Sequence, residues 1–190
     1  MNSSVVFPYP GIILNTCCLI DLYASGYISD ILQSLPVPVA ITTYTYEREK
    51  LPTYLRSAND EGLSANPSGL LSLVQSGVLI VASPTNEERV SMNDFAASVK
   101  VDGEAYTLAL AFHRHWAIGV DDLHAQRWFR RYIQESLLLS TPTFIKYWAE
   151  RSSLATDELT KILQKVWSQT GYQPLLDDPL CTWWKKHIGL

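Results

Sequence analysis

Gly11-Ile12-Ile13-Leu14-Asn15-Thr16-Cys17-Cys18-Leu19-Ile20-Asp21-Leu22-Tyr23-Ala24-Ser25-Gly26 reads in two halves. Gly11 to Asn15 is a short apolar run closed by a polar residue, the pattern of a buried strand. Leu19 to Ser25 then reads as a helix, and Gly26 stands where a helix-ending glycine belongs. The alternation continues downstream. Ser29 to Ser34 is a helical piece punctuated by Pro36 and Pro38, and Val39 to Thr42 is a second strand that turns helical from Thr43 to about Pro52. Ser57 to Gly69, rich in Ser, Asn, Gly and Pro, reads as a loop. Leu70 to Gln75 is helical, Val78 to Val81 is a third strand, and Ser83 or Thr85 caps a helix running through Phe95. Asp102 to His115 is an Ala- and Leu-rich helix before a fourth strand, Ala117 to Val120. A helix from Leu123 to Tyr132 precedes a fifth strand, Leu137 to Leu139. Beyond Pro142 the chain is read as helices: Phe144 to Glu150, Thr156 to Gln169 and Leu180 to His187. Short apolar strands alternating with helices predict an α/β fold, a parallel sheet covered on both faces.

Composition supports a packed domain. Of 190 residues, 47% are apolar and 18% charged, enough apolar material to fill a core and exclude wholesale disorder. The net charge of −4 excludes a chain that coats nucleic acid through sheer positive charge, while leaving room for a local basic patch. No apolar run reaches the ~18 residues that cross a bilayer, so no membrane partner is expected. Met1 to Pro10 makes a poor signal peptide. Cys17, Cys18 and Cys181 match no disulfide or zinc framework; they read as buried thiols in a reducing compartment, hence a cytoplasmic protein.

Polar residues at the carboxyl ends of parallel strands collect at one edge, where ligands bind. Here they are mostly acids. Asn15 ends strand one, Glu47 and Glu49 follow strand two, Asp121 and Asp122 end strand four, and Glu104 opens the helix leading into it. Carboxylates gathered there repel one another, with only Arg48, Lys50 and Lys100 close by in sequence. A divalent cation would offset the repulsion. Hard oxygen ligands without Cys or His suit Mg²⁺ or Mn²⁺, and such an ion can activate water and stabilise charge on a phosphoryl group.

Three motifs carry a family resemblance. Leu14 to Gly26 resembles the opening of a PIN domain, the nuclease fold of VapC-type toxins. Asp102-Gly103-Glu104-Ala105 and its alanine-rich helix resemble the GEA motif of a VapC-like subgroup, and Val120-Asp121-Asp122-Leu123-His124-Ala125 resembles that subgroup's TDD-x-x-A motif. Thr141-Pro142 before a helix and the late Trp183-Trp184 also fit, so the similarity runs from about Ile12 to near the C-terminus. The resemblance implies a three-layer α/β/α PIN-like domain over residues 1–141, with a C-terminal helical extension, 142–190, packed on it. It implies Mg²⁺- or Mn²⁺-dependent endoribonuclease activity, with RNA as substrate and a protein antitoxin as partner. The family's four acidic positions fall on Asn15, on Glu49 or Glu47, on Glu104 and on Asp122 with Asp121 beside it. Glu47 and Glu49 point to different sides of a helix, so only one should reach the metal.

Asn15 departs from the family's aspartate, keeping its shape and one acceptor oxygen but losing the charge, which lowers metal affinity. Three accounts stand at this point: a branch that tolerates Asn, a replacement made to silence the nuclease, or a domain that only binds RNA or protein. Val120 in place of threonine is a second departure, and a DNA-directed nuclease is a further alternative. Glu104 also suits the positive end of its helix dipole, and Asp121-Asp122 could simply cap the next helix. Asp21 lies nearly two helical turns from Asn15 and reads as solvated or as a supporting residue. Arg127, Arg130 and Arg131, at i, i+3 and i+4, share one helix face that could carry an RNA backbone or simply be solvated. The late tryptophans, Trp148, Trp167, Trp183 and Trp184, belong to helices that pack on the domain or on a partner, an antitoxin or a second copy.

Overall fold

The computed structural model describes residues 7–49, 69–99 and 101–189. The fold grows from β1 (Ile12–Leu14), whose three residues are all buried. Asn15 leaves it in extended conformation and caps α1 (Thr16–Ala24), its Oδ1 accepting from the Thr16 amide. The turn into α2 (Ile28–Ser34) needs Gly26 at φ 80°, where a side chain would strain the backbone. β2 (Val39–Thr42) ends on Thr42, whose hydroxyl caps the short α3 (Thr43–Glu47) through the Thr45 amide at 2.9 Å. The helix read from Thr43 thus stops at Glu47; Lys50 to Ser68, including most of the proposed loop, lies outside the described residues, as does Lys100.

Downstream, α4 (Leu70–Gln75) leads to β3 (Ile80–Ala82), two residues later than the sequence suggested, because the Leu79 amide still closes onto the Leu73 carbonyl. Thr85, rather than Ser83, starts α5 (Asn86–Val99) with a reciprocal box: the Thr85 amide donates to Glu88 Oε2 and the Glu88 amide to Thr85 Oγ1. α6 (Asp102–Arg114) returns the chain to β4 (Ala117–Gly119). α7 (Leu123–Phe129) is shorter than expected, since tightened bonds from Arg131 to Trp128 and Tyr132 to Phe129 end it. A 3₁₀ turn at Glu135–Leu137 takes the start of the fifth predicted strand, leaving β5 as Leu138–Leu139. Then come α8 (Thr141–Arg151), α9 (Thr156–Thr170) and α10 (Cys181–Ile188).

All pairings are parallel, in the order β3-β2-β1-β4-β5. Alternation within the strands sets the layers. Ile12, Leu14, Val39 and Ile41 face a core shared with α1, α2 and α8 to α10, while Ile13, Ala40, Ile118 and Val120 face one built with α6 and α7. This is the expected three-layer α/β/α arrangement with C-terminal helices. Trp148 and Trp184 are buried in the first core, so the late helices complete the domain's own interior; Trp167 is partly exposed. Strand order reverses beside β1, between β2 and β4, and a sheet of this kind opens a crevice at its carboxyl edge there. Among the described residues no helix is long and apolar enough to cross a membrane.

Candidate functional site

The carboxyl edge gathers the acids into two groups. The open group comprises Glu49, Glu104 and Asp122. Glu49 follows α3, and Glu104 sits in the first turn of α6. Burial and the nearby Glu104 push the Glu49 carboxyl up to about 6. Burial and Asp122 likewise raise that of Glu104. The GEA glycine permits this approach: a Cβ on Gly103 would collide with Glu49 Oε1. Glu104 Oε2 is buried with no hydrogen-bond partner among the described residues. Asp122 is exposed and also caps α7, accepting from the Ala125 amide at 2.8 Å, so its capping and clustering roles coexist.

The closed group comprises Asp21 and Asp121. Asp21 is 6% exposed, so the reading of it as solvated is corrected: α1 turns it inward, beneath the residue that follows Val120. Burial and then Asp121 push Asp21 up to about 7, partly offset by the Thr170 hydroxyl. Asp121 accepts from the Thr141 amide at 2.9 Å, the Thr141 hydroxyl at 2.7 Å and the Tyr172 hydroxyl. Its own carboxyl is raised because burial outweighs those bonds. Cys17 and Cys18 line this region, with burial pushing Cys17 up to about 12 and Cys18 well above its ordinary value. Raised thiol pKa values disfavour the reactive thiolate; Cys18 is buried as the sequence suggested, while Cys17 is partly exposed.

Asn15, at the switch point, is buried and commits Oδ1 to α1. Thr16, which sequence reasoning passed over, donates its hydroxyl to Glu49 Oε2 and so ties that acid to the start of α1. Its signal was its place directly after the strand-ending Asn15.

Several candidates lie elsewhere. Glu47 is exposed and lines a neighbouring cavity, which leaves Glu49 as the residue beside Glu104. Asp121 turns away from the open group into the closed one. The shared arginine face is also corrected. α7 ends at Phe129, so only Arg127 is on the helix, and Arg130 is engaged by Glu135 at 3.1 Å, Asp177 at 3.9 Å and Gln126. Arg131 is exposed in the following turn.

Chemically, the open group offers a set of carboxylate oxygens with one already desolvated and unpartnered, which suits a hard divalent cation. The carboxylates adjoin without meeting at a point: among the described residues no group of three or more His, Cys, Asp or Glu side chains is drawn together closely enough to hold a metal ion. No family model matches this chain, and no curated protein or solved structure matches it significantly.

Proposed function

We propose that this chain is a Mg²⁺- or Mn²⁺-dependent endoribonuclease of PIN-like architecture. The observation that carries the reading is the Oε2 of Glu104, buried and without a partner among the described residues, with the charges of Glu49 and Asp122 near it at the carboxyl edge. Glu49, Glu104 and Asp122 would hold the cation. When bound, it would supply positive charge to a phosphodiester under attack and lower the pKa of water. The chain's own residues do the rest. Gly103 leaves room for Glu49, Thr16 orients the Glu49 carboxylate, and the capping bond to Ala125 fixes Asp122. Raised carboxyl pKa values mean that cation binding would release protons, so affinity should climb with pH through about 6. RNA rather than DNA as substrate, a toxin's role and a protein antitoxin as partner rest on the motif resemblance alone; a second copy as partner has only the partly exposed Trp167 behind it.

One observation favours a second reading, a module that binds without cutting. Asn15 brings no charge, and its carbonyl oxygen is already spent on the Thr16 amide. Cleavage of a structured RNA with Mn²⁺ separates the two, comparing this chain with Glu104→Gln and Asn15→Asp. Loss of one cluster carboxylate should slow cutting by about two to three orders of magnitude, with the fold intact. Asn15→Asp should speed it. Cutting by Glu104→Gln at the parent rate sinks the nuclease assignment. Silence from the parent and from Asn15→Asp, with RNA still bound, establishes the binding module.

A further inference from the structure

A cavity of about 590 Å³ opens beside the acidic edge, within the ~300–1,000 Å³ usual for small-ligand pockets. Its walls come from the carboxyl ends of β2 and β3 and from α5 and α6, so it lies along the same sheet edge as the acids. Tyr44 joins the two places. Its ring lies where a Cβ on Gly103 would come within 3.5 Å of it, next to Glu49, and it lines the cavity with Tyr106. The two rings lie 4.9 Å apart, tilted by 38°, each half-buried. Arg48 and Arg89 line it too, both exposed and neither in a salt bridge among the described residues. Asn93 adds an amide, and Glu47 and Asp102 add two carboxylates.

We propose that this cavity holds one unpaired nucleotide of an RNA strand, next to the phosphate at the acidic group. Tilted tyrosines offer a face to any base, and guanidiniums suit a phosphate or a base edge. Two arginines against two carboxylates leave no surplus positive charge, so the pocket fits a single nucleotide unit rather than a run of phosphates. Glu47 and Asp102 can accept from a ribose hydroxyl or an exocyclic amine. The inference rests on the nuclease reading for the identity of the strand. It also moves strand binding away from Arg127, Arg130 and Arg131.

Binding of a labelled five-nucleotide single-stranded RNA in EDTA tests the pocket without cleavage. Arg48→Ala/Arg89→Ala should weaken binding roughly tenfold and flatten the salt dependence by about 0.7, one phosphate contact. Tyr106→Leu should weaken it about five- to thirtyfold with the salt slope unchanged, and Tyr106→Phe should restore it. Melting temperatures of the variants check the fold. Unchanged affinity in the double arginine variant, or no binding by the parent chain, overturns the proposal. The two readings fail separately. If the arginine variant binds normally while Glu104→Gln still stops cleavage, the pocket falls and the nuclease stands. If the pocket variants lose RNA while Glu104→Gln cuts at the parent rate, the nuclease falls and the pocket stands.

Discussion

Asp121 and Asp122 are neighbours in sequence with the same side chain, and the fold gives them opposite work. Asp122 stays at the surface, caps α7 and adds its charge to Glu104. Asp121 is turned inward, where the Thr141 amide and hydroxyl and the Tyr172 hydroxyl saturate it and Asp21 lies close by. One group of acids is left with an oxygen unpartnered among the described residues; the other is closed by donors. Unsatisfied buried charge is what a protein keeps for a ligand, whereas satisfied buried charge holds structure together. Asp121 shows the structural use plainly. Ser140 makes no capping bond for α8, and the distant Asp121 carboxylate takes that place, while Tyr172 ties the segment after α9 to the same point. The closed group is therefore a clasp between the sheet and the C-terminal helices.

The sharpest way to break this contrast is Asp121→Ala. It strips the acceptor from two hydroxyls and one helix-terminal amide in a buried setting, at about 3 kcal/mol. For a chain of this length that lowers the melting temperature by roughly 6–12 °C. Glu104→Ala should leave it unchanged or slightly higher, since it removes a buried oxygen without a partner. Equal losses from both, measured by denaturant unfolding, would erase the distinction.

A smaller effect follows from pH. In the folded chain Asp21 titrates near 7 and Glu49 near 6, against ordinary values of 3.8 and 4.5. Between about pH 4 and 7 the folded state therefore keeps protons that the unfolded chain has released. Stability must fall as pH rises through that window and level off above it. Asp21 and Asp121 titrate as a pair, and Asp21→Asn removes the larger share of the slope. The variant carries no charge for burial and Asp121 to penalise, so at pH 8 it should be more stable by about 2 kcal/mol. A slope that survives Asp21→Asn would show that the pair is not its source.

Period and punctuation made the fold legible. The strand-then-helix alternation, Gly26 and the capping residues are local signals, and the layers follow from them. Boundaries missed by two or three residues where local turn bonds, which the residue pattern does not show, closed an element, as at Leu79 and Phe129. The edge location of the acids was equally legible, because strand ends in a parallel sheet share an edge. Their partition was not. Asp21 could be read as solvated or as a supporting residue, because its partners, Thr170 and Asp121, lie far along the chain. Arg130 reads on one face with Arg127 and Arg131, and its partners Glu135 and Asp177 lie beyond the end of that helix. Glu47 and Glu49 could not be separated by spacing, and only the packing of α3 against α6 brings Glu49 to Glu104.

The finest test of the open group is Thr16, whose only argued part is to aim Glu49. Thr16→Val keeps the shape and removes the hydroxyl that donates to Glu49 Oε2. It lies in the first turn of α1, partly buried, so stability should change by under about 1 kcal/mol. If the open group works as a set of aimed carboxylates, losing the aim should weaken Mn²⁺ binding and slow RNA cleavage by about tenfold, well short of the loss in Glu104→Gln. Thr16→Ser returns the hydroxyl and should return both. A Thr16→Val protein with parent Mn²⁺ affinity, read from the metal-induced rise in melting temperature, would mean that Glu49 needs no guide. The bond to Thr16 would then be a structural satisfaction like those of Asp121, and the line between the two acidic groups would have to be redrawn on the far side of Glu49.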